Sequence, residues 1–355
     1  MSQIRKKTRA IDIGGVAIGG GAPVIVQSMT SCDTRDVRAT VAQITRLEKA
    51  GCEIIRVAVP DEKAASAIGE IRPKIHIPLI ADIHFRDDLA VMAMNHGADA
   101  IRINPGNIPV EGIRRIVSAA KRNKKAIRVG VNAGSLEKDI AARHGGPTAP
   151  ALVESALRNI RLLEDMDFAD MKLSLKSSDV STTIEAYRSV SALTDYPLHL
   201  GVTEAGTLMQ SAIKSAIGIG TLLYEGIGDT LRVSITGDPL EEVGVAYSIL
   251  RALKIRSVGP EIISCPTCGR CEIDLVSLVS QVERKLKGMK SPLTIALMGC
   301  VVNGPGEARE ADIGIAGGKG SGMLFKKGKI VGKIREDEFV PALLEEIRRM
   351  TGEKL

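Results

Sequence analysis

Short apolar runs rich in β-branched residues alternate with amphipathic segments over the first two thirds of this 355-residue chain. Strands that alternate with helices form right-handed βαβ units and a parallel sheet. Eight such units are the number found in a (β/α)8 barrel. The pattern therefore predicts an α/β protein with a TIM barrel, whose strands are expected at Val24–Ser28, Ile54–Val57, Leu79–Ile83, Ala100–Ile103, Ile127–Val131, Met171–Ser174, Leu198–Val202 and Leu231–Ile235.

The main alternative is an open, doubly wound sheet that binds a dinucleotide. Such a sheet needs a glycine-rich turn directly after its first strand. Here the glycine-rich run Ile13–Gly21 precedes the first predicted strand. The position of these glycines favours the barrel.

A second, smaller unit is expected after the barrel. Residues 1–254 form the predicted barrel domain, closed by a helix over Asp238–Leu253, and residues 255–264 contain Gly259-Pro260 and are predicted to be a linker. Residues 265–355 are predicted to form a small α/β domain. Its expected elements are a helix near Ile273–Leu286, strands at Leu293–Leu297 and Asp312–Ala316, a hairpin around Lys327-Gly328, and a closing helix at Glu336–Met350.

Composition argues against some classes of function. The chain has no Trp, four Tyr and four Phe, too few aromatic rings for base-stacking platforms, so single-stranded nucleic acid is a poor ligand. A net charge of +6 fits anionic substrates or an acidic protein partner, or simply a basic surface. The N-terminus lacks an apolar signal region and no run of about 18 apolar residues occurs, which predicts a cytoplasmic protein without membrane association.

Charged and polar residues mark the C-terminal ends of the predicted strands, where TIM barrels carry their active sites. Four arginines lie inside strand-like segments, where a guanidinium is costly to bury without an anionic partner. Arginine presents a planar fork that matches phosphate oxygens. We expect a ligand with several negative charges, such as a diphosphate, bound by Arg56, Arg102, Arg128, Asn132, Lys176, Arg232 and Ser234.

A structural role is the alternative for any one of these arginines. Asp82, Glu204 and Asp229 could pair with some of them, but three carboxylates are too few to neutralise them all. Glu204 is the candidate acid–base residue, because a carboxylate among cations stays ionised and can relay a proton. It could instead be an orienting ion-pair partner. His84 and His199 are weaker candidates, each equally well explained as a structural histidine.

Four of the six cysteines lie in the last quarter of the chain, at Cys265, Cys268, Cys271 and Cys300. A Cys-x2-Cys pair alone fits zinc, a redox dithiol or a cluster. A zinc ribbon requires a second Cys-x2-Cys pair, which the sequence lacks. A redox dithiol does not require a distant third cysteine. Two close cysteines with a distant one suit an iron–sulfur cluster. Glu307, in the glycine-rich stretch after Cys300, is either a labile carboxylate ligand or an ordinary first-turn glutamate.

Eight short motifs are spread along nearly the whole chain. They are Val26-Gln-Ser-Met-Thr, Arg56-Val-Ala-Val-Pro, Arg102-Ile-Asn-Pro-Gly-Asn-Ile, Gly130-Val-Asn-Ala-Gly-Ser-Leu-Glu, Leu198-His-Leu-Gly-Val-Thr-Glu-Ala-Gly, Glu225-Gly-Ile-Gly-Asp-Thr-Leu-Arg-Val-Ser, Ser264-Cys-Pro-Thr-Cys and Gly299-Cys-Val-Val-Asn-Gly-Pro-Gly-Glu. Together they resemble one family, the (E)-4-hydroxy-3-methylbut-2-enyl diphosphate synthases of the non-mevalonate isoprenoid pathway, and the two cysteine motifs are the most specific.

The resemblance implies a [4Fe–4S] cluster bound by Cys265, Cys268, Cys300 and Glu307, and electrons from flavodoxin or ferredoxin. It also implies reductive ring opening and dehydration of 2-C-methyl-D-erythritol 2,4-cyclodiphosphate to (E)-4-hydroxy-3-methylbut-2-enyl diphosphate. Glu307 would be catalytic as the exchangeable ligand, and Glu204 would serve proton transfer. Cys271 departs from the family pattern and competes with Glu307 as fourth ligand; we expect Glu307.

The chain path adds an expectation about assembly. The closing helix runs antiparallel to its strand and ends at the bottom of the barrel, while a linker of about a dozen residues spans at most roughly 40 Å. A head-to-tail homodimer, in which each cluster closes the partner's barrel, resolves this and agrees with the family.

Two other classes of function stay open on sequence grounds. A transferase resembling dihydropteroate synthase would keep the anion site without a cluster. A zinc-knuckle nucleic-acid binder would hold zinc and bind in a salt-dependent way.

Overall fold

The computed structural model describes residues 5–300 and 309–354. They divide into two compact units, the first ending at Arg256 and the second beginning at Ser257.

The first unit contains the predicted barrel. A short antiparallel hairpin, β1 (Ile11–Ile13) and β2 (Val16–Ile18), precedes the barrel. The barrel strands are β3 (Ile25–Met29), β4 (Ile54–Ala58), β5 (Leu79–Asp82), β6 (Ala100–Ile103), β7 (Ala126–Asn132), β8 (Met171–Lys176), β9 (His199–Leu200) and β10 (Thr230–Leu231). Within the described residues, these eight parallel strands form one sheet in the order β8-β7-β6-β5-β4-β3-β10-β9, and a parallel bridge between Leu173 and Leu198 brings its two ends together.

Helices connect successive strands and cover the outside of the sheet. Several begin at an aspartate whose carboxylate accepts a hydrogen bond from the first turn, an arrangement that stabilises a helix by about 1 kcal/mol. No helix of the described residues is long and apolar enough to cross a membrane. The helices are α1 (Val37–Lys49), α2 (Glu62–Ile71), α3 (Asp87–Asn95), α4 (Val110–Asn123), α5 (Lys138–His144), α6 (Ala149–Glu164), α7 (Val180–Leu193), α8 (Leu208–Tyr224) and α9 (Pro239–Ala252).

The floor of the barrel is apolar. Ile11, Ile13 and Ile18 of the β1–β2 hairpin form one buried cluster with the first inward residues of several barrel strands, Ile25, Ile54, Ile80, Ala100 and Ala126. The sequence did not predict this hairpin, because its three-residue strands are too short to show a period. Charged groups above the floor can therefore reach a ligand or water only from the mouth.

The last two barrel strands are shorter than predicted. The sequence indicated Leu198–Val202 and Leu231–Ile235, whereas the ladders stop at Leu200 and Leu231. Beyond them the backbone bonds to loops and side chains instead: Ile235 N donates to Glu242 Oε1 at 3.3 Å, and Thr236 N donates to the Gly206 carbonyl at 3.0 Å.

The second unit is built on a mixed sheet with two helices packed against it, counted within the described residues. The elements are β11 (Pro260–Ser264), α10 (Leu275–Lys285), β12 (Leu293–Met298), β13 (Ile313–Gly318), β14 (Ser321–Lys326), β15 (Lys329–Arg335) and α11 (Phe339–Thr351). The strands lie in the sheet in the order β11-β12-β13-β14-β15. The first three strands are parallel, and the last two extend the sheet as an antiparallel hairpin.

The predicted linker is corrected by β11. Residues 255–264 were expected to be a connection, but Pro260–Ser264 pairs with β12 in register. Proline is tolerated there because it is the first residue of an edge strand. The connection from α9 to the second unit is consequently shorter than the sequence indicated.

Candidate active site

Along each barrel strand, the inward-facing residue next after the floor residue is usually polar or charged, not apolar. Successive residues of a strand point to opposite faces, so the residue two positions after a floor residue also faces inward. On β7, Arg128 and Asn132 share this face and pair in register with Lys172 and Lys176 of β8. The interior of the barrel is thus lined by cations.

Asp82 is the carboxylate at the centre of this lining. Its Oδ2 lies 3.5 Å from Arg56 Nε, and its Oδ1 accepts a hydrogen bond from Arg102 Nη1 at 3.2 Å. Burial alone would raise the pKa of Asp82, but the charges of Arg56 and Arg102 and a hydrogen bond from His84 hold it well below its usual range. Burial lowers the pKa of Arg56 to about 10 despite Asp82. The structural alternative raised for these arginines therefore applies to Arg56 and Arg102, which both pair with Asp82.

Arg232 is held by Glu242, which the sequence analysis missed. Arg232 Nη2 donates to Glu242 Oε1 at 2.9 Å and Arg232 Nε donates to Oε2 at 3.1 Å, while Ser28 Oγ donates to Oε2 at 2.8 Å. Glu242 is 2% exposed. A signal was present, because Glu242 shares helical spacing with the buried Pro239 and Ala246 on α9.

Arg128 and Lys176 have no carboxylate partner in the part of the chain that the structure describes. Both are buried, and burial together with neighbouring positive charges lowers the pKa of each well below its ordinary value. Arg128 Nε and Nη1 have no hydrogen-bond partner among the described residues. An anion entering from the mouth would satisfy both side chains.

Two inward-facing glycines make room for these cations. A Cβ atom at Gly130 would lie 2.6 Å from Arg102 Nε, and one at Gly201 would lie 2.5 Å from Lys176 Nζ. Each glycine belongs to one of the motifs quoted above. The sequence marked these motifs, but not the reason for their glycines.

Asn132 and Ser234 also lie at the mouth. In the amide orientation that satisfies its hydrogen bonds, Asn132 Nδ2 donates to the Val131 carbonyl at 3.2 Å and Asn132 Oδ1 accepts from Arg102 Nη2 at 2.8 Å. Ser234 is half-buried in the segment after β10, and its carbonyl accepts a hydrogen bond from Ser211 Oγ at 2.7 Å.

Two carboxylates do not behave as expected. Glu204 is exposed in the loop after β9, with φ of 51°, and makes no ion pair or hydrogen bond within the described residues; the expectation that cations crowd it is wrong. Asp229 pairs with Arg5 at 3.3 Å and accepts hydrogen bonds from Thr8 Oγ1 and Leu198 N, so it ties the N-terminal segment to the barrel. It is engaged away from the mouth arginines.

The cysteines of the second unit gather at one edge of its sheet. Cys265 directly follows β11 and Cys300 follows β12, and these strands are parallel neighbours. Gly299 N donates to Cys265 Sγ at 3.2 Å, and Cys271 N donates to the Cys268 carbonyl at 2.9 Å. All four thiols are free of disulfides. Soft sulfur donors from two adjoining loops are the type of ligand that an iron–sulfur cluster uses, so the donor set suits that group. Within the described residues, no three metal-ligating side chains are placed close enough together to hold a metal ion.

The individual thiols differ. Cys268 is exposed, and a hydrogen bond from the Arg270 backbone lowers its pKa. Cys271 packs partly against the core of the unit, where its Sγ donates to the Ile273 carbonyl at 3.3 Å. A Cβ atom at Gly299 would lie 2.5 Å from Cys271 Sγ. Glu307 lies outside the described residues.

A TIM barrel with a cationic interior, followed by a thiol-bearing α/β unit, is the architecture of one class of protein. The GcpE TIM-barrel domain matches residues 8–247, and the GcpE protein C-terminal domain matches residues 261–349. The chain belongs to the GcpE family, which confirms the resemblance found in its motifs.

Similar proteins cover the whole chain. A protein of Caldanaerobacter subterraneus subsp. tengcongensis, named 4-hydroxy-3-methylbut-2-en-1-yl diphosphate synthase (flavodoxin), is 59% identical over 100% of both chains. A protein of the same name from Thermodesulfovibrio yellowstonii is 58% identical over 97% of this chain and 99% of its own. Dihydropteroate synthase from Stenotrophomonas maltophilia, 13% identical, superposes with a TM-score of 0.52 over 70% of this chain and 98% of its own; this likeness shows the barrel fold alone.

Proposed function

We propose that the chain is an oxidoreductase that converts 2-C-methyl-D-erythritol 2,4-cyclodiphosphate into (E)-4-hydroxy-3-methylbut-2-enyl diphosphate. The observation that carries the proposal is the buried, carboxylate-poor set of cations inside the barrel. Arg128 and Lys176 are nearly fully buried and form no ion pair within the described residues, and Arg128 Nε and Nη1 also have no hydrogen-bond partner there. A diphosphate is the ligand that best matches several guanidinium forks at such a site.

Substrate binding uses the residues that line the mouth. Ion pairs with Asp82 hold the guanidinium groups of Arg56 and Arg102 inside the barrel, and an ion pair with Glu242 orients Arg232. The diphosphate oxygens accept hydrogen bonds from Arg56, Arg102, Arg128, Asn132, Lys176, Arg232 and Ser234.

The redox group would be a [4Fe–4S] cluster held by Cys265, Cys268, Cys300 and Glu307, and when bound it would supply two electrons in single steps. The reaction balances with these two electrons and one proton: the carbon–oxygen bond to the diphosphate breaks and leaves an ionised phosphate oxygen, the hydroxyl takes up the proton and leaves as water, and the opened diphosphate stays on the arginines.

Glu204 serves the proton transfers. Two observations support this role: Glu204 is exposed in the loop after β9, and it forms no ion pair within the described residues. Such a group can take and release protons without first breaking an internal contact.

Electrons come from flavodoxin, the word printed in the relatives' names, or from ferredoxin. A net charge of +6 favours an acidic protein donor. Such a donor and such a substrate place the enzyme in the cytoplasm.

The enzyme acts as a head-to-tail homodimer. About seven residues connect α9 to β11 and span at most roughly 25 Å, which favours a cluster contributed by a partner subunit. On α8, Met209, Ile213 and Ile217 are at least half exposed at helical spacing, the kind of apolar stripe that a second copy covers. Mixing a barrel-dead with a cluster-dead variant should restore activity; no restoration would count against the shared site.

Arg128→Met tests the function. The variant should lower kcat/KM for the cyclodiphosphate roughly 10–100-fold, the equivalent of one or two charged hydrogen bonds. Arg122→Met, on the exposed face of α4, is the matched control and should leave kcat/KM unchanged. Equal kcat/KM in both variants and the wild type would contradict the proposal.

A further inference from the structure

A second group of buried polar side chains lies above the apolar floor, beside the residues assigned to the substrate. Lys172 and His199 are fully buried, and Gln27 is 1% exposed. Lys172 Nζ, His199 Nε2 and both amide atoms of the Gln27 side chain have no hydrogen-bond partner within the described residues. Native proteins rarely leave this many buried polar atoms unpaired in one place.

The three side chains share the inward face of the barrel. Gln27 lies two residues after the floor residue Ile25, which places both on the same side of β3. Lys172 pairs in register with Arg128 and lies four residues before Lys176 on the same face of β8. His199 is paired in register with Thr230, whose Oγ1 lies 2.8 Å from its Nδ1.

Among the described residues, the carboxylate that offsets the charge of Lys172 is Asp229, and it is already engaged elsewhere. The floor is apolar, and Arg128 brings a further positive charge with two unpaired nitrogen atoms of its own. The nearby carboxylate of Asp229 already accepts hydrogen bonds from Thr8 and Leu198 and pairs with Arg5. Burial, followed by the charge of Arg128, lowers the pKa values of Lys172 and His199 well below their ordinary values. A ligand entering from the mouth would satisfy these groups.

We infer that Lys172, His199 and Gln27 form an inner anion layer, which contacts the diphosphate of the substrate from the floor side. The inference rests on the proposed function and extends it to three further residues: Gln27 and His199 lie in two of the quoted motifs, whereas Lys172 lies in none of them. Lys172 Nζ donates to a phosphate oxygen, and His199 Nε2 and the Gln27 amide complete the hydrogen bonds around it. The arginines at the mouth then hold the diphosphate from above and the inner layer from below.

This role makes an unusual prediction about stability. A buried polar group without a partner destabilises the ligand-free protein, so replacing Lys172 by an apolar side chain of similar length should stabilise it. Lys172→Met should therefore raise the Tm of the ligand-free protein by about 2–4 °C. The same variant should bind inorganic pyrophosphate roughly tenfold or more weakly, because a charged hydrogen bond is lost. A lysine with a purely structural role would lower the Tm when removed.

The experiment is calorimetric titration of the full chain with inorganic pyrophosphate, combined with thermal unfolding without ligand. His199→Gln is the second variant and should also weaken pyrophosphate binding, while Lys121→Met, on the exposed side of α4, should change neither quantity. Unchanged affinity in both inner-layer variants, or a Lys172→Met protein that is less stable or fails to fold, would overturn the inference alone. A wild type that does not bind pyrophosphate would overturn the proposed diphosphate site and the inner layer together.

Discussion

Replacing Glu242 by Gln removes one negative charge from the barrel wall and keeps the size of the side chain. Glu242 is 2% exposed and accepts hydrogen bonds from both Arg232 Nε and Nη2. Hydrogen bonds to charged groups contribute about 1.5–3 kcal/mol, against about 0.5–1.5 kcal/mol for neutral ones. Removing one partner of a fully buried ion pair costs about 3–5 kcal/mol. The Arg232 side chain is 16% exposed and can recover some hydration, so we expect a loss of roughly 2–3 kcal/mol.

Thermal unfolding and steady-state kinetics measure the two consequences of this change. The barrel unfolding transition should shift down by about 5–10 °C, given about 2–4 °C per kcal/mol for a domain of this size. Arg232 would also lose its fixed orientation, so KM for the cyclodiphosphate should rise with little change in kcat, as expected when ground-state binding is lost.

The neighbouring residue Glu241 is the matched control. It lies in the same first turn of α9 but is exposed, so Glu241→Gln should cost no more than about 0.5 kcal/mol from the helix dipole. If the two variants lose the same stability and share the same KM, then Glu242 does not position Arg232 and the reasoning is refuted.

Three further changes test other parts of the site. Gly201→Ala should raise KM and lower stability by about 1–3 kcal/mol, because the new Cβ atom would stand 2.5 Å from Lys176 Nζ, which kinetics and thermal unfolding measure. Glu204→Gln should lower turnover while leaving substrate affinity nearly unchanged, as separate kcat and binding measurements would show. Cys271→Ser should retain iron and sulfide in the reconstituted protein, whereas Glu307→Ala should lose turnover with its cluster present.

Each of these changes has a contrary outcome. Gly134→Ala, where a Cβ atom meets nothing within 4 Å, is the control for Gly201→Ala, and equal effects would argue against a steric cause. A weakened substrate affinity in Glu204→Gln would make this residue a binding group. Loss of the cluster in Cys271→Ser would make Cys271 a ligand, and normal turnover in Glu307→Ala would remove the exchangeable-ligand role.

The barrel could be predicted because its signal is periodic. Strand runs such as Ala100–Ile103 agree with the structure residue for residue, since parallel strands buried on both faces show as continuous apolar segments. The β1–β2 hairpin was missed because three-residue strands between glycines carry no period. The edge strand Pro260–Ser264 was taken for a linker, because Gly259-Pro260 suggests a turn as readily as a strand start.

Site residues could be predicted from the sequence where a charged side chain stands in an otherwise apolar strand segment. Arg56, Arg102 and Arg128 attract notice because arginine inside a strand is costly. Lys172 and Glu242 could not be recognised in this way. The surroundings of Lys172 depend on strand register and those of Glu242 on how its helix packs, and neither is encoded locally in the sequence. The position of Glu204 was predicted, but its lack of ion pairs depends on loop conformation that no local pattern encodes.

The proposed function requires that a cluster reduces a cyclic diphosphate held by the barrel of this chain. The most direct measurement is the ratio of electrons consumed to product formed, after anaerobic reconstitution with iron and sulfide and titration with reduced flavodoxin. The account predicts two electrons for each (E)-4-hydroxy-3-methylbut-2-enyl diphosphate formed, and no product from a Cys265→Ser protein. A fully reconstituted protein that consumes electrons without opening the ring, or a Cys265→Ser protein that still forms product, would contradict it.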